Sequence, residues 1–138
     1  MAADNLQRFI DAQENVYPVA LAEIKKGRKQ SHWMWFVFPQ MRGLGFSATS
    51  KLYAIKDIHE AEAYLQHPVL GNRLVEISNA LLQLESDNAY AILGSPDDMK
   101  LQSSMTLFSS VHNSDPVFVL VLQKFFKGMK DENTLRLL

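Results

Sequence analysis

Helix-start chemistry recurs along this chain and constrains its fold more than any other feature. At Ser95-Pro96-Asp97-Asp98, the serine oxygen stands where it can accept from a free first-turn amide. The proline follows where its missing N–H has no partner to lose, and the two aspartates complement the positive end of the helix dipole. Asp115-Pro116 repeats the cap-then-proline order, and Tyr17-Pro18 and His67-Pro68 also set a proline where a helix begins. Asp57-Ile58-His59-Glu60 has the form of a capping box, with Glu60 at the reciprocal position.

Between these signals apolar residues recur at helical spacing. Leu6, Phe9, Ile10 and Gln13 leave one apolar edge; Leu74, Ile77, Leu81 and Leu84 form a second; Leu101, Met105, Phe108 and His112 form a third. The pattern predicts helices near 4–14, 17–27, 48–55, 58–66, 68–85, 88–93, 96–112, 116–127 and 132–137. The apolar run 33–38 reads as a short helix that Ser31 would cap and Pro39 would stop. Residues 117–121 alone would pass for a strand, but the cap before them favours a buried helix. The expected fold is mainly α: one compact domain over residues 1–138 with about eight short-to-medium helices. There is no internal repeat, low-complexity tract or long linker.

Composition agrees with that architecture and removes several function classes. A chain of 138 residues with 47% hydrophobic and 21% charged residues has the profile of one ordinary globular domain. At this size folding buries roughly 68% of the unfolded chain's surface, so disulfide staples are unnecessary. The absence of cysteine excludes thiolate nucleophiles, redox switches and cysteine-ligated metal centres, and it fits a reducing compartment. A net charge of -1 argues against coating nucleic acid or an anionic membrane, although a local basic patch can still hold a small anion. The start, Met1 to Leu6, has neither the charged nor the apolar region of a secretory signal, and the run 33–38 is far too short to span a bilayer. The expectation is a soluble, cytoplasmic protein with no membrane partner, and nucleic acid is an unlikely one.

The strings Ser31-His32-Trp33-Met34-Trp35-Phe36-Val37-Phe38-Pro39-Gln40, Gly43-Leu44-Gly45, His67-Pro68-Val69-Leu70-Gly71-Asn72-Arg73-Leu74 and Lys100-Leu101-Gln102-Ser103-Ser104-Met105-Thr106-Leu107-Phe108 span most of the sequence. In them the chain resembles a bacterial family known as domain of unknown function eighteen-ten. The resemblance implies a mainly helical fold and supplies no activity, substrate or cofactor. Members often carry an automatic calpastatin label. A calpastatin-type inhibitor is polar and disordered, whereas this chain is apolar and aromatic.

The candidate site residues lie in three stretches. In the first, Lys25, Lys26, Arg28 and Lys29 precede His32, Trp33 and Trp35. The cations can draw an anion toward an indole floor, with His32 carrying a proton near neutral pH. The plainer reading makes the basic residues dipole partners of a helix end and the tryptophans core. In the second stretch, Gln40 and Arg42 flank a turn whose Gly43 and Gly45 expose amides that can cradle a phosphate. That turn lacks the third glycine of a dinucleotide fingerprint and the Gly-Lys-Ser/Thr ending of a P-loop, and glycines serving only the turn explain it as well.

The third stretch contains Lys100, Ser103 and Ser104, with Lys100 and Ser104 one helical turn apart. An ammonium beside two hydroxyls suits a phosphate; alternatively, small hydroxyls pack closely and bond back to the preceding turn. The Ser-x-x-Lys order of serine-lysine enzymes is absent. His59, His67 and His112 are isolated, and His59-Glu60-Ala61-Glu62-Ala63 has alanine where a zinc-protease helix needs its second histidine, so no metal is expected.

The first expectation is a pocket for an anionic, nucleotide-like or phosphate-bearing small molecule. His32 and Lys100 would be its catalytic residues if it is an enzyme, and Trp33, Trp35, Gln40, Arg42, Ser103 and Ser104 would bind the ligand. The rival is a non-catalytic protein-interaction or structural module in which the aromatics are core. No cofactor can be named from the sequence.

Overall fold

Every predicted helical window contains a helix in the computed structural model, which describes residues 6–138. In chain order they are α1 (Gln7–Gln13), α2 (Tyr17–Lys25), α3 (Met34–Val37), α4 (Ala48–Leu52), α5 (Ile58–Gln66), α6 (Leu70–Leu82), α7 (Ala89–Leu93), α8 (Asp97–Ser109), α9 (Val117–Phe126) and α10 (Glu132–Leu137). The described residues thus form ten helices rather than about eight, because the short windows at α3, α4, α7 and α10 each close their own turns. The expectations for residues 1–5 lie outside the described residues.

The caps follow the expected chemistry in part. Asp57 accepts from the Glu60 amide at 2.9 Å, and Asp115 accepts from the Val117 amide at 2.8 Å. His67 Nδ1 accepts from the amides of Val69 and Leu70, so this histidine serves the start of α6. Two expected caps differ. Ser95 does not cap α8, since the carbonyls of Gly94 and Pro96 take the amides of Asp98, Met99 and Lys100. Ser31 does not cap α3, because its hydroxyl donates to Glu23 instead. The Glu60 carboxylate accepts from the Lys56 amide and from Arg8 rather than from the Asp57 amide.

α8 is the central element. It packs against α5, α7, α9 and α10, and Leu101 and Ser103 to Phe108 are all buried. Burial on this scale explains why a helix with so many weak helix formers persists: tertiary contact outweighs propensity. A series of ring contacts crosses the core, from Phe9 to Tyr64 at 5.2 Å, Tyr64 to Phe108 at 5.3 Å and Phe108 to Phe118 at 5.9 Å. It joins α1, α5, α8 and α9, with the offset and edge geometries that aromatic pairs prefer.

α6 lies against α2, α5 and α9. Gly71 lets its first turn approach α5, since a Cβ there would fall 2.1 Å from the Leu65 carbonyl oxygen. The apolar helix α9 is not buried all round as expected; Val117, Phe118, Val121 and Leu122 face inward, while Val119 and Leu120 are exposed. Residues beyond α4 leave the helical window to pair with residues 40–42. The Ile55 amide donates to the Gln40 carbonyl and the Arg42 amide to the Ile55 carbonyl, each at 2.8 Å, as a single parallel bridge of Met41 with Ile55. That bridge fixes the chain directly before the glycine turn.

Candidate functional site

A cleft of about 420 Å3 opens where the first two turns of α8 meet α3, the turn at residues 43–47 and the start of α10. Its walls carry Trp35, Gln40, Phe46, Met99, Lys100 and Ser103, with Ser50, Asp131 and Asn133 farther along. The helix phase of α8 turns Lys100 and Ser103 to the same side. The Met41–Ile55 bridge holds Gln40, and Gly45 presses against α4, where a Cβ would meet Ser50 Oγ at 2.4 Å. Ser47 caps α4 through the Ser50 amide, so the intervening Phe46 is held between two fixed neighbours and is nevertheless 87% exposed.

The charge centre of the cleft wall is a shared carboxylate. Asp97 receives Lys29 Nζ at 2.9 Å and Lys100 Nζ at 3.4 Å, while each ammonium lies over an indole: Lys29 over Trp33 at 5.0 Å and Lys100 over Trp35 at 4.2 Å. Two cations on one carboxylate leave a positive charge uncompensated. Lys29 is nearer to Asp97 and more deeply buried, so the excess lies at Lys100, on the cleft. The other charged group along the wall, Asp131, caps α10 by accepting from the Thr134 amide at 2.9 Å and the Thr134 hydroxyl at 2.6 Å. Its negative charge therefore sits at a helix N-terminus, where the dipole partly offsets it.

A second carboxylate organises the loop before α3. Glu23 is buried and accepts from the Gln30 amide at 2.8 Å, the Ser31 amide at 3.0 Å, the Ser31 hydroxyl at 2.5 Å and Trp33 Nε1 at 2.9 Å. Burial alone would raise its pKa; the hydrogen bonds to Ser31, Gln30 and Trp33 outweigh it and lower the value from the ordinary 4.5 to about 2. The first part of the crowded tryptophan segment, residues 30–33, is thus a loop folded around one carboxylate.

Of the eight residues expected at a site, Trp35, Gln40, Lys100 and Ser103 come together in this cleft. The other four do not join them. His32 is on the surface, away from Lys100's cleft, and Arg42 is exposed, with its amide in the bridge to Ile55. Trp33 is fully buried on Glu23, as the core reading of that tryptophan requires. Ser104 is fully buried in the body of α8, and its hydroxyl has no hydrogen-bond partner among the described residues. The neighbouring hydroxyls bond back along the helix, Ser103 to Met99, Thr106 to Gln102 and Ser110 to Thr106. Apart from Ser104, this accounts for the unusual hydroxyl content of α8.

Sequence reasoning missed Asp97 as the link between two lysines and Phe46 as a cleft wall. The Asp97–Lys100 spacing of one turn was a usable signal; the Lys29 contact, across about half of the chain, had none. A second cavity of about 410 Å3 lies between α5, α6 and α9, with Glu62, Asn72, His112 and Asp115 on its rim. Among the described residues it presents two carboxylates and no lysine or arginine, so it is the wrong place for an anion. Among the described residues no cluster of His, Asp and Glu is arranged to hold a metal ion, and no helix is long and apolar enough to cross a membrane.

Comparison with known proteins agrees with the fold. No curated protein matches the chain. Among solved structures it is similar to the conserved hypothetical protein Rv1873 from Mycobacterium tuberculosis, with 46% identity and a TM-score of 0.95 over 97% of this chain and 96% of that one. The model of the family described as protein of unknown function DUF1810 matches residues 3–138. With the model spanning nearly the whole sequence, the chain belongs to the DUF1810 family.

Proposed function

We propose that this protein binds a small anionic ligand, phosphate-bearing and nucleotide-like, in the cleft between α8 and the turn at residues 43–47. The observation that carries the reading is the charge imbalance of the Lys29–Asp97–Lys100 group, which leaves Lys100 as the cation on the wall of a concave site. An ammonium held over an indole is oriented before the ligand arrives, so less freedom is lost on binding. Gln40 and Ser103 add polar groups on either side. The reading is binding rather than proton transfer, because His32 lies outside the cleft. A cysteine-free chain of this kind suits the cytoplasm, where phosphorylated metabolites are abundant.

A thermal-shift screen against nucleotides and sugar phosphates tests this directly, using the wild type and Lys100→Met. The methionine keeps an apolar stem on Trp35 while removing the charge. A ligand at one hundred times its dissociation constant adds roughly 2.7 kcal/mol to native stability. The expected result is a shift in the wild type that is lost in Lys100→Met, with the unliganded variant melting near the wild type. An equal shift in both proteins would remove Lys100 from the site. A flat response throughout would favour the rival, an interaction module, for which Val119 and Leu120 of α9 are among the exposed apolar side chains, as are Leu135 and Leu137 of α10.

A further inference from the structure

The cleft has two aromatic walls, but they are not equivalent. One face of Trp35 is already occupied by the Lys100 ammonium, 4.2 Å from the ring centroid. Among the described residues no ring or cation lies over Phe46, which is 87% exposed although it lines the cleft. Its exposure is built in. Gly45 on one side is pressed against Ser50, and Ser47 on the other caps α4, so the backbone cannot fold the ring away without breaking both contacts. A phenylalanine fixed in water gains nothing from the fold, and an aromatic wall beside a cation is the pairing that receives a planar ring carrying a negative group.

Size and charge narrow the ligand. Small-molecule pockets run from roughly 300 to 1,000 Å3, and about 420 Å3 is near the lower end. That space holds one base with one sugar, and the rest of a dinucleotide would lie outside it. Among the described residues Lys100 is the one cation on this wall, with Asp97 and Asp131 as nearby carboxylates, so a ligand with one phosphate meets less uncompensated negative charge than a triphosphate does.

Resting on the reading that Lys100 receives a phosphate, we propose that Phe46 is the ring-stacking, specificity-determining residue of the cleft and that the ligand class is nucleoside monophosphates. The ring lies on Phe46 and the phosphate meets Lys100 Nζ. The dissociation constants of AMP, GMP, CMP, UMP, ATP and ribose 5-phosphate, measured by titration calorimetry for the wild type, Phe46→Ala and Phe46→Trp, test this. The expected result is that at least one monophosphate binds about tenfold or more tightly than ribose 5-phosphate, and more tightly than ATP. Phe46→Ala removes that preference while ribose 5-phosphate binding stays the same, and Phe46→Trp retains it. Because Phe46 is exposed, the unliganded variants are expected to melt with the wild type, which separates a stacking role from a folding one.

Equal affinity of the wild type for the monophosphates and ribose 5-phosphate would overturn the Phe46 assignment and leave the Lys100 reading standing. So would a preference that survives Phe46→Ala. Tighter binding of ATP would overturn the monophosphate class. Binding of none of these probes would overturn the Lys100 reading and this one with it.

Discussion

Two buried polar side chains behave in opposite ways, and hydrogen bonding accounts for the contrast. The Glu23 carboxylate has four donors and a pKa lowered to about 2, whereas the Ser104 hydroxyl has no partner among the described residues. A carboxyl group with a folded value below its unfolded one contributes stability that is complete above the unfolded value of about 4.5. It loses that contribution as pH falls toward 2. The wild type is therefore expected to lose on the order of 3 kcal/mol from this group across that window. Glu23→Gln is expected to be less stable at pH 7 and flatter in acid, which denaturant titrations between pH 7 and pH 2 would show; parallel acid curves would contradict it. Ser104→Ala removes a buried hydroxyl that costs about 1–3 kcal/mol to leave unpaired, and it improves helix propensity. Its expected effect is a gain of about 1 kcal/mol in urea denaturation, and a loss of that size would mean that the hydroxyl has a partner.

Helices here are joined by side chains that reach from one to the end of another. Lys124 of α9 donates to the carbonyls of Leu81 and Leu82 at 3.1 Å and also to Leu84, thereby closing the C-terminus of α6. A cation at that end satisfies free carbonyls and complements the negative pole of the dipole. Lys124→Met keeps the stem and removes the donor. It is expected to cost about 1–2 kcal/mol and to speed amide exchange in the last turn of α6 before other helices; uniform exchange would refute the capping role. Helix windows were legible at this scale because amphipathic spacing and proline are local signals. The exceptions have a common cause. Ser95 and Ser31 fail as caps where another group intervenes: the Gly94 carbonyl takes the Asp98 amide, and the Glu23 carboxylate draws the Ser31 hydroxyl to itself.

At the level of the whole molecule one hydrophobic cluster runs from Leu6 to Leu122, and the aromatic series joins α1 to α9 through its middle. A single shared core predicts one cooperative unfolding transition over the expected single domain, with calorimetric and van't Hoff enthalpies equal near roughly 95 kcal/mol at 60 °C. Two resolved transitions in scanning calorimetry would divide the chain. The sequence by itself determined the class of the fold and the positions of its helices, because periodicity, capping and proline act over a few residues. It also singled out Trp35, Gln40, Lys100 and Ser103 as candidates by their chemistry. Only the tertiary structure decided which candidates share a cleft: Trp33 went to the core with Glu23, His32 and Arg42 to the surface, and Ser104 into α8. The physical reason is distance along the chain. The Asp97 carboxylate that organises the site binds Lys29 from the loop between α2 and α3, and no local rule links residues so far apart until the core between them has packed.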